Sequence, residues 1–219
     1  RPVLLADCDP GAHQAVLAGY LAGQSAGGRG LLRIAEAHRD RRPLREALLD
    51  QSLPISGEDG ARQLFLPGFN RAASAGLFGG VWDDLADAFD RLGEVGYDVI
   101  VDAGRMGPHG LPGPLVERSA VTGLVLRTSL RAVLSARVHL PSLTEHERLS
   151  TAGRTGLVLV GEGEPYGRRE VAQALGAGVH AVVAHDPAVA AHLSDGEPRP
   201  RRFDGSPLVR SLRAAAGVL

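Results

Sequence analysis

Val3-Leu4-Leu5-Ala6-Asp7-Cys8-Asp9-Pro10-Gly11 and Tyr97-Asp98-Val99-Ile100-Val101-Asp102-Ala103-Gly104 decide how the rest of the chain is read. In each, an apolar, β-compatible run crosses a core and delivers a carboxylate at its end. Open α/β sheets bind their ligands at the C-terminal edge of the strands. Carboxylates beside a core are costly unless they are paired or bound to a metal. Two at one sheet edge therefore point to a cation, with Mg²⁺ and a phosphate as the natural occupants. Asp7 and Asp9 share one face if the strand continues through them, and Cys8 takes the other. Asp9 also suits a strand-end turn that caps the next helix. Gly104 allows close approach of backbone to a phosphate. Arg105, just past it, is placed either to pair with that phosphate or to remain a surface arginine.

Working outward, helices are expected at about 12–22, 31–38, 44–49 and 82–92. On the last of these, Trp82, Leu85, Phe89 and Leu92 share a face. Short apolar strands follow at 64–66, 99–101, 123–126, 157–160 and 179–183, with helices at about 129–149, 168–175, 187–194 and 207–218. This alternation predicts a mostly parallel sheet with helices on both faces. The strands near Val3 and Val99 are expected to be buried on both faces, because neither alternates. Gly68–Gly80 and Ala103–Gly113 are the expected mobile loops. The Asp186-Pro187 pair opens a helix after the last apolar strand, which is ordinary turn chemistry. Asp7, Asp9 and Asp102 are expected to gather at one sheet edge.

The bulk properties narrow the function classes. A net charge of −1 removes any global attraction to nucleic acid or an anionic membrane. The basic run Arg199, Arg201 and Arg202 and the last amphipathic helix keep both as local possibilities. A single cysteine excludes an internal disulfide. No apolar run is long enough to span a bilayer, and the expected location is the cytoplasm. All 24 Lys+Arg residues are arginines, so these 219 residues contain no G-x-x-x-x-G-K-[ST] loop.

These segments together resemble the MinD/ParA family of deviant P-loop ATPases. Val3–Pro10 is similar to that family's switch I strand, an apolar run into D-x-D-P. Tyr97–Gly104 resembles its Walker B and switch II segment. Leu124–Leu130 resembles the strand and turn that follow. The C-terminal third repeats the likeness: a helix ending in Ala174-Leu175-Gly176, the strand Val179–Val183, Asp186-Pro187, then Gly196-Glu197-Pro198. The resemblance implies a P-loop-NTPase-like α/β fold with the first strand and phosphate loop missing. It further implies a single domain over 1–219, truncated at its N-terminus.

The implied cofactors are ATP and Mg²⁺. Asp102 and Asp7 would serve the metal, and Asp9 would position the attacking water. Gly104 and Arg105 would lie near the terminal phosphate, and Asp186 and Pro187 near the base. The implied role is spatial positioning of DNA, division or secretion machinery. It would act as a homodimer with a protein partner, nucleic acid or a membrane surface being further candidates. The alternative is a non-catalytic localisation scaffold, as in the TadZ/CpaE-like branch. The family's phosphate-loop strand would normally lie inside the sheet. Without it, the strands near Val3 and Val99 either pair directly or leave unpaired backbone between them.

Overall fold

The run at the start of the chain forms β1 (Val3–Asp7), and it lies inside a four-stranded sheet rather than at its border. The computed structural model describes residues 1–55, 62–107, 111–149 and 154–218. By contact the chain divides into two compact units, Arg1–Leu115 and Val116–Leu219.

In the first unit β1 is followed by α1 (Ala15–Ala18), α2 (Leu31–Arg39), α3 (Leu44–Gln51), β2 (Leu53–Ile55) and β3 (Gln63–Leu66). A 3-10 helix (Ala72–Phe78), α4 (Trp82–Glu94) and β4 (Asp98–Asp102) complete it, with α5 (Gly113–Arg118) beginning at its end. The strand order is β2-β3-β1-β4. Both neighbours of β1 run parallel to it, whereas β2 pairs antiparallel with β3. Pro54 is tolerated in β2 because that strand ends the sheet.

β1 and β4 pair directly along their whole length, from Val3 opposite Asp98 to Asp7 opposite Asp102. Of the two outcomes foreseen for these strands, direct pairing is the one adopted. The expectation that both are buried on both faces holds only in part for β1, where Leu4 and Ala6 on one face are fully buried and Val3 and Leu5 on the other are partly exposed, and it fails for β4. β4 terminates its sheet, and Ile100 is 56% exposed. An unbroken apolar run predicts two-sided burial, whereas one face of β4 is open.

The core of this unit joins Leu4, Ala6 and Cys8 of β1 to Leu31 and Ile34 of α2, Leu48 of α3, and Trp82, Leu85 and Leu92 of α4. Phe69 meets Phe78 and Trp82 edge-on, at 5.2 Å and 6.0 Å between ring centroids. Phe69 and Phe78 are fully buried, so the Gly68–Gly80 segment is anchored at both ends, contrary to the expectation of a mobile loop. In the other expected mobile loop, Ala103–Gly113, positions 108–110 lie outside the described residues. The helix expected at 12–22 shrinks to Ala15–Ala18. Ala12, Gln14 and Ala22 all have positive φ, and the glycine-rich run beyond Ala22 offers no apolar face to hold a longer helix.

The second unit contains β5 (Val121–Arg127), α6 (Leu130–Leu149), β6 (Arg154–Val160), α7 (Arg168–Leu175), β7 (Val179–Val183), α8 (Pro187–Asp195) and α9 (Pro207–Ala216). Its sheet is three-stranded and parallel, in the order β5-β6-β7. Val183, Val189, Leu208 and Val209 form a small core beneath α8 and α9. Among the described residues no helix is long and apolar enough to cross a membrane.

Candidate functional site

The pairing of β1 with β4 sets Asp7 opposite Asp102. The Cys8 N–H donates to the Asp102 carbonyl at 2.8 Å, extending the ladder one step past the strand end. Asp9 therefore follows on the same edge, and the three carboxylates lie where the sequence places them. Asp7 and Asp9 are each only 5% exposed, while Asp102 is exposed.

Their surroundings differ. Asp7 accepts one hydrogen bond, from the Asp9 N–H at 3.1 Å. Gly68 lies so close to it that a Cβ there would fall 2.6 Å from the Asp7 Cγ. Burial, reinforced by the charges of Asp102 and Asp9, pushes the Asp7 carboxyl up to about 6, against the pull of the Asp9 N–H bond. Burial raises Asp9 too, but its bonds to His13 and to the Gly11 and His13 N–H groups outweigh that and hold it below its ordinary value. Gly11 N–H donates to Asp9 Oδ1 at 2.7 Å, and His13 N–H to Oδ2 at 3.3 Å. The His13 ring, through Nδ1, also bonds Oδ2. Burial and the neighbouring Asp7 and Asp102 push the Cys8 thiol well above its ordinary range, which leaves it no role as a nucleophile.

Gly104 closes the site. Its N–H donates to Asp102 Oδ1 at 2.9 Å, its φ is +84°, and a Cβ there would overlap Asp9 Oδ1. Glycine is required at this position by the carboxylate beside it. Arg105 is exposed, and no ion pair holds it among the described residues. Asp186 and Pro187 belong to the second unit, where Asp186 caps α8 by accepting from the Val189 N–H at 3.3 Å and Pro187 opens the helix. They do the turn chemistry that their residue types suggest.

Sequence reading missed His13, although the four-residue spacing from Asp9 through Pro10-Gly11 was a signal available for it. It also missed a charged cluster in the second unit. There Arg127, at the end of β5, meets His185 at 2.8 Å and Glu164 at 3.4 Å. The hydroxyl of fully buried Thr128 donates to the carbonyls of Gly161 and Glu164 and fixes the loop that presents Glu164.

The donor set suits a divalent cation better than a triphosphate. Asp7 and Asp102 are adjacent, and the buried Asp7 carboxyl, raised chiefly by burial, accepts one N–H and forms no ion pair among the described residues. Mg²⁺ accepts two carboxylates and completes its shell with water. No third ligand joins them: among the described residues, no group of three His, Cys, Asp or Glu side chains could hold a metal. The amides of Gly11 and His13, which could face a phosphate, are already taken by Asp9, and the sequence offers no lysine.

No protein-family model matches the sequence, and no curated protein matches it. Solved structures do match by fold. A chain of the MinC:MinD cell division protein complex of Aquifex aeolicus superposes with a TM-score of 0.70 at 13% identity, covering 99% of this chain and 82% of that one. The ParA family ATPase of Chlorobium tepidum TLS gives 0.69 at 18% identity, over 98% and 84% of the two chains. A point variant of Cyanothece McdA in complex with ATP gives 0.67 at 15% identity, over 99% and 85%. The chain has a MinD/ParA-like fold.

Proposed function

We propose that this protein acts in spatial positioning, as a MinD/ParA-like member of a system that places chromosomes, division septa or secretion machinery through a protein partner. The observation that carries this reading is the registered pair Asp7 and Asp102, at the strand ends of a fold shared with MinD, ParA and McdA. In this reading Asp7 and Asp102 hold Mg²⁺, and Gly104 keeps the backbone close enough for a ligand to reach the metal. Bound Mg²⁺ would supply positive charge against the oxygens of a phosphate ligand.

Both oxygens of Asp9 are engaged by His13 and backbone amides. That favours a second reading, the non-catalytic localisation scaffold, over a hydrolase in these 219 residues. Phosphate release from ATP and Mg²⁺ is expected to stay at the no-enzyme blank. Release above it that disappears in Asp102→Ala would establish the hydrolase instead. The positioning role is tested by a fluorescent fusion in the source cell. Discrete foci or a polar cap are expected, and a uniform signal would overturn it.

A further inference from the structure

The turn between α2 and α3 concentrates charge that nothing at the carboxylate edge uses. Its sequence is His38-Arg39-Asp40-Arg41-Arg42-Pro43-Leu44-Arg45, in a chain of net charge −1. The turn forms one wall of a cleft of about 530 Å³, and the outer side of α4 forms the other. Arg39, Arg41, Arg42 and Arg45 line the first wall and Arg91 the second. All five are exposed. Arg39 reaches Asp40 at 3.4 Å. Arg41, Arg42 and Arg45 form no ion pair among the described residues. The arrangement is held from beneath, where Ala37, Leu48 and Leu85 join one core. His38 bonds Asp84 at 2.7 Å, tying the turn to α4. The arginines are thus presented on fixed backbone.

We propose that this cleft binds an acidic, partly apolar peptide segment of a protein partner. A guanidinium fork matches a carboxylate in two parallel hydrogen bonds, and several arginines with no carboxylate of their own form a surface complementary to acidic side chains. Two features favour a peptide over a nucleic-acid backbone. Asp84, bonded to His38, and Asp87 place acidic side chains on the α4 wall, so the cleft is not the uniformly basic surface that an unbroken row of phosphates would need. A peptide can set its acids on the arginine wall and neutral groups on the other. Pro43, Leu44 and Ala88 also line the cleft, giving an apolar side chain a surface to cover. The inference is independent of nucleotide or metal at the carboxylate edge.

The test uses the 219-residue protein and a fluorescent peptide of alternating glutamate and leucine. Its glutamine–leucine counterpart and a single-stranded oligonucleotide serve as rival probes. The glutamate peptide is expected to bind, and to weaken as salt rises. Arg42→Glu with Arg45→Glu should weaken it roughly tenfold or more, as reversal of close charge pairs does. Both side chains are exposed, so the melting temperature should hold. Charge reversal of Arg201 and Arg202 in the tail should leave binding unchanged. Equal binding of the two peptides, indifference to the Arg42/Arg45 reversal, or an oligonucleotide bound at least as tightly as the glutamate peptide would each overturn the proposal.

Discussion

Both sheets place charged residues at the C-terminal ends of parallel strands, yet the two edges are built differently. At the ends of β1 and β4, Asp7 and Asp9 are buried and Asp102 is exposed, and all three are wired to backbone amides, with Asp7 accepting from Asp9, Asp9 from Gly11 and His13, and Asp102 from Gly104. At the ends of β5, β6 and β7, Arg127, Glu164 and His185 satisfy one another largely in the open. A buried charge must be compensated by fixed partners, whereas an exposed one is compensated by water whatever its neighbours do. The first edge should therefore tolerate little change and the second nearly any.

The largest contrast lies between two glycines of similar conformation. Gly104 and Gly163 have φ of +84° and +83°. A Cβ on Gly104 would overlap Asp9 Oδ1, and one on Gly163 would meet nothing within 4 Å. Gly104→Ala adds overpacking to backbone strain, for about 4 kcal/mol. Gly163→Ala adds the strain alone, about 1 kcal/mol. Urea melts of the two variants measure the difference. Equal costs would mean that Gly104 serves the turn and not the carboxylate.

Asp9→Ala comes next. It strips two backbone N–H groups and a histidine ring of their acceptor, at about 3 kcal/mol near neutral pH. Asp9 lies below its ordinary value of 3.8. The stability it contributes is therefore present above that value and is lost as pH falls through the folded-state value. The gap between variant and wild type should be widest near pH 7 and should close in acid. A gap that is constant with pH would show that shape, not charge, holds the turn.

The contrast was only half legible in the sequence. The apolar runs into Asp7 and Asp102 carried enough information to place both on one edge, because parallel pairing in register needs only run length and direction. α4 was legible from Trp82, Leu85, Phe89 and Leu92, all of which are buried. Three things were not. β2 holds only Leu53–Ile55 and carries a proline, so neither alternation nor length marked it. Whether β4 was interior or terminal depends on which strands pair, and apolar content cannot report that. His13 gains its meaning from a turn in which Ala12 and Gln14 take left-handed φ values, a conformation that neither residue type signals.

Asp7→Asn should move stability in the opposite direction. Folding holds the Asp7 proton more tightly, at about 6 against 3.8. The stability from this site is full below the unfolded value and is lost as pH rises through about 6. That displacement corresponds to about 3 kcal/mol of strain in the ionised native state. Asparagine keeps the oxygen that accepts from the Asp9 N–H and removes the charge. In metal-free buffer above pH 7, Asp7→Asn should be more stable than wild type by about 2 kcal/mol, with the advantage gone below about pH 4. Mg²⁺ should stabilise the wild type and leave the variant unmoved, since only the wild type offers the ion a paired carboxylate. A destabilised variant would sink the account of Asp7 as a carboxylate awaiting a cation.

The smallest effect belongs to the second edge. Glu164 meets Arg127 at 3.4 Å and His185 at 3.3 Å, with more than half of the Glu164 side chain in solvent. Ion pairs this exposed are worth about 0–1 kcal/mol and are screened by salt. Thr128 reaches the loop through the Glu164 carbonyl rather than the carboxylate, so the backbone should stay in place when the charge is removed. Glu164→Gln is expected to change stability by no more than about 0.5 kcal/mol, less still at high salt. Thr128→Val removes the hydroxyl that bonds two carbonyls inside the fold and should cost about 2 kcal/mol. Together the two variants ask whether this edge is held by its charges or by a buried hydroxyl beneath them. A Glu164→Gln loss as large as that of Thr128→Val would make Arg127, Glu164 and His185 a working network. The two edges would then follow one rule, with burial of charge no longer what separates them.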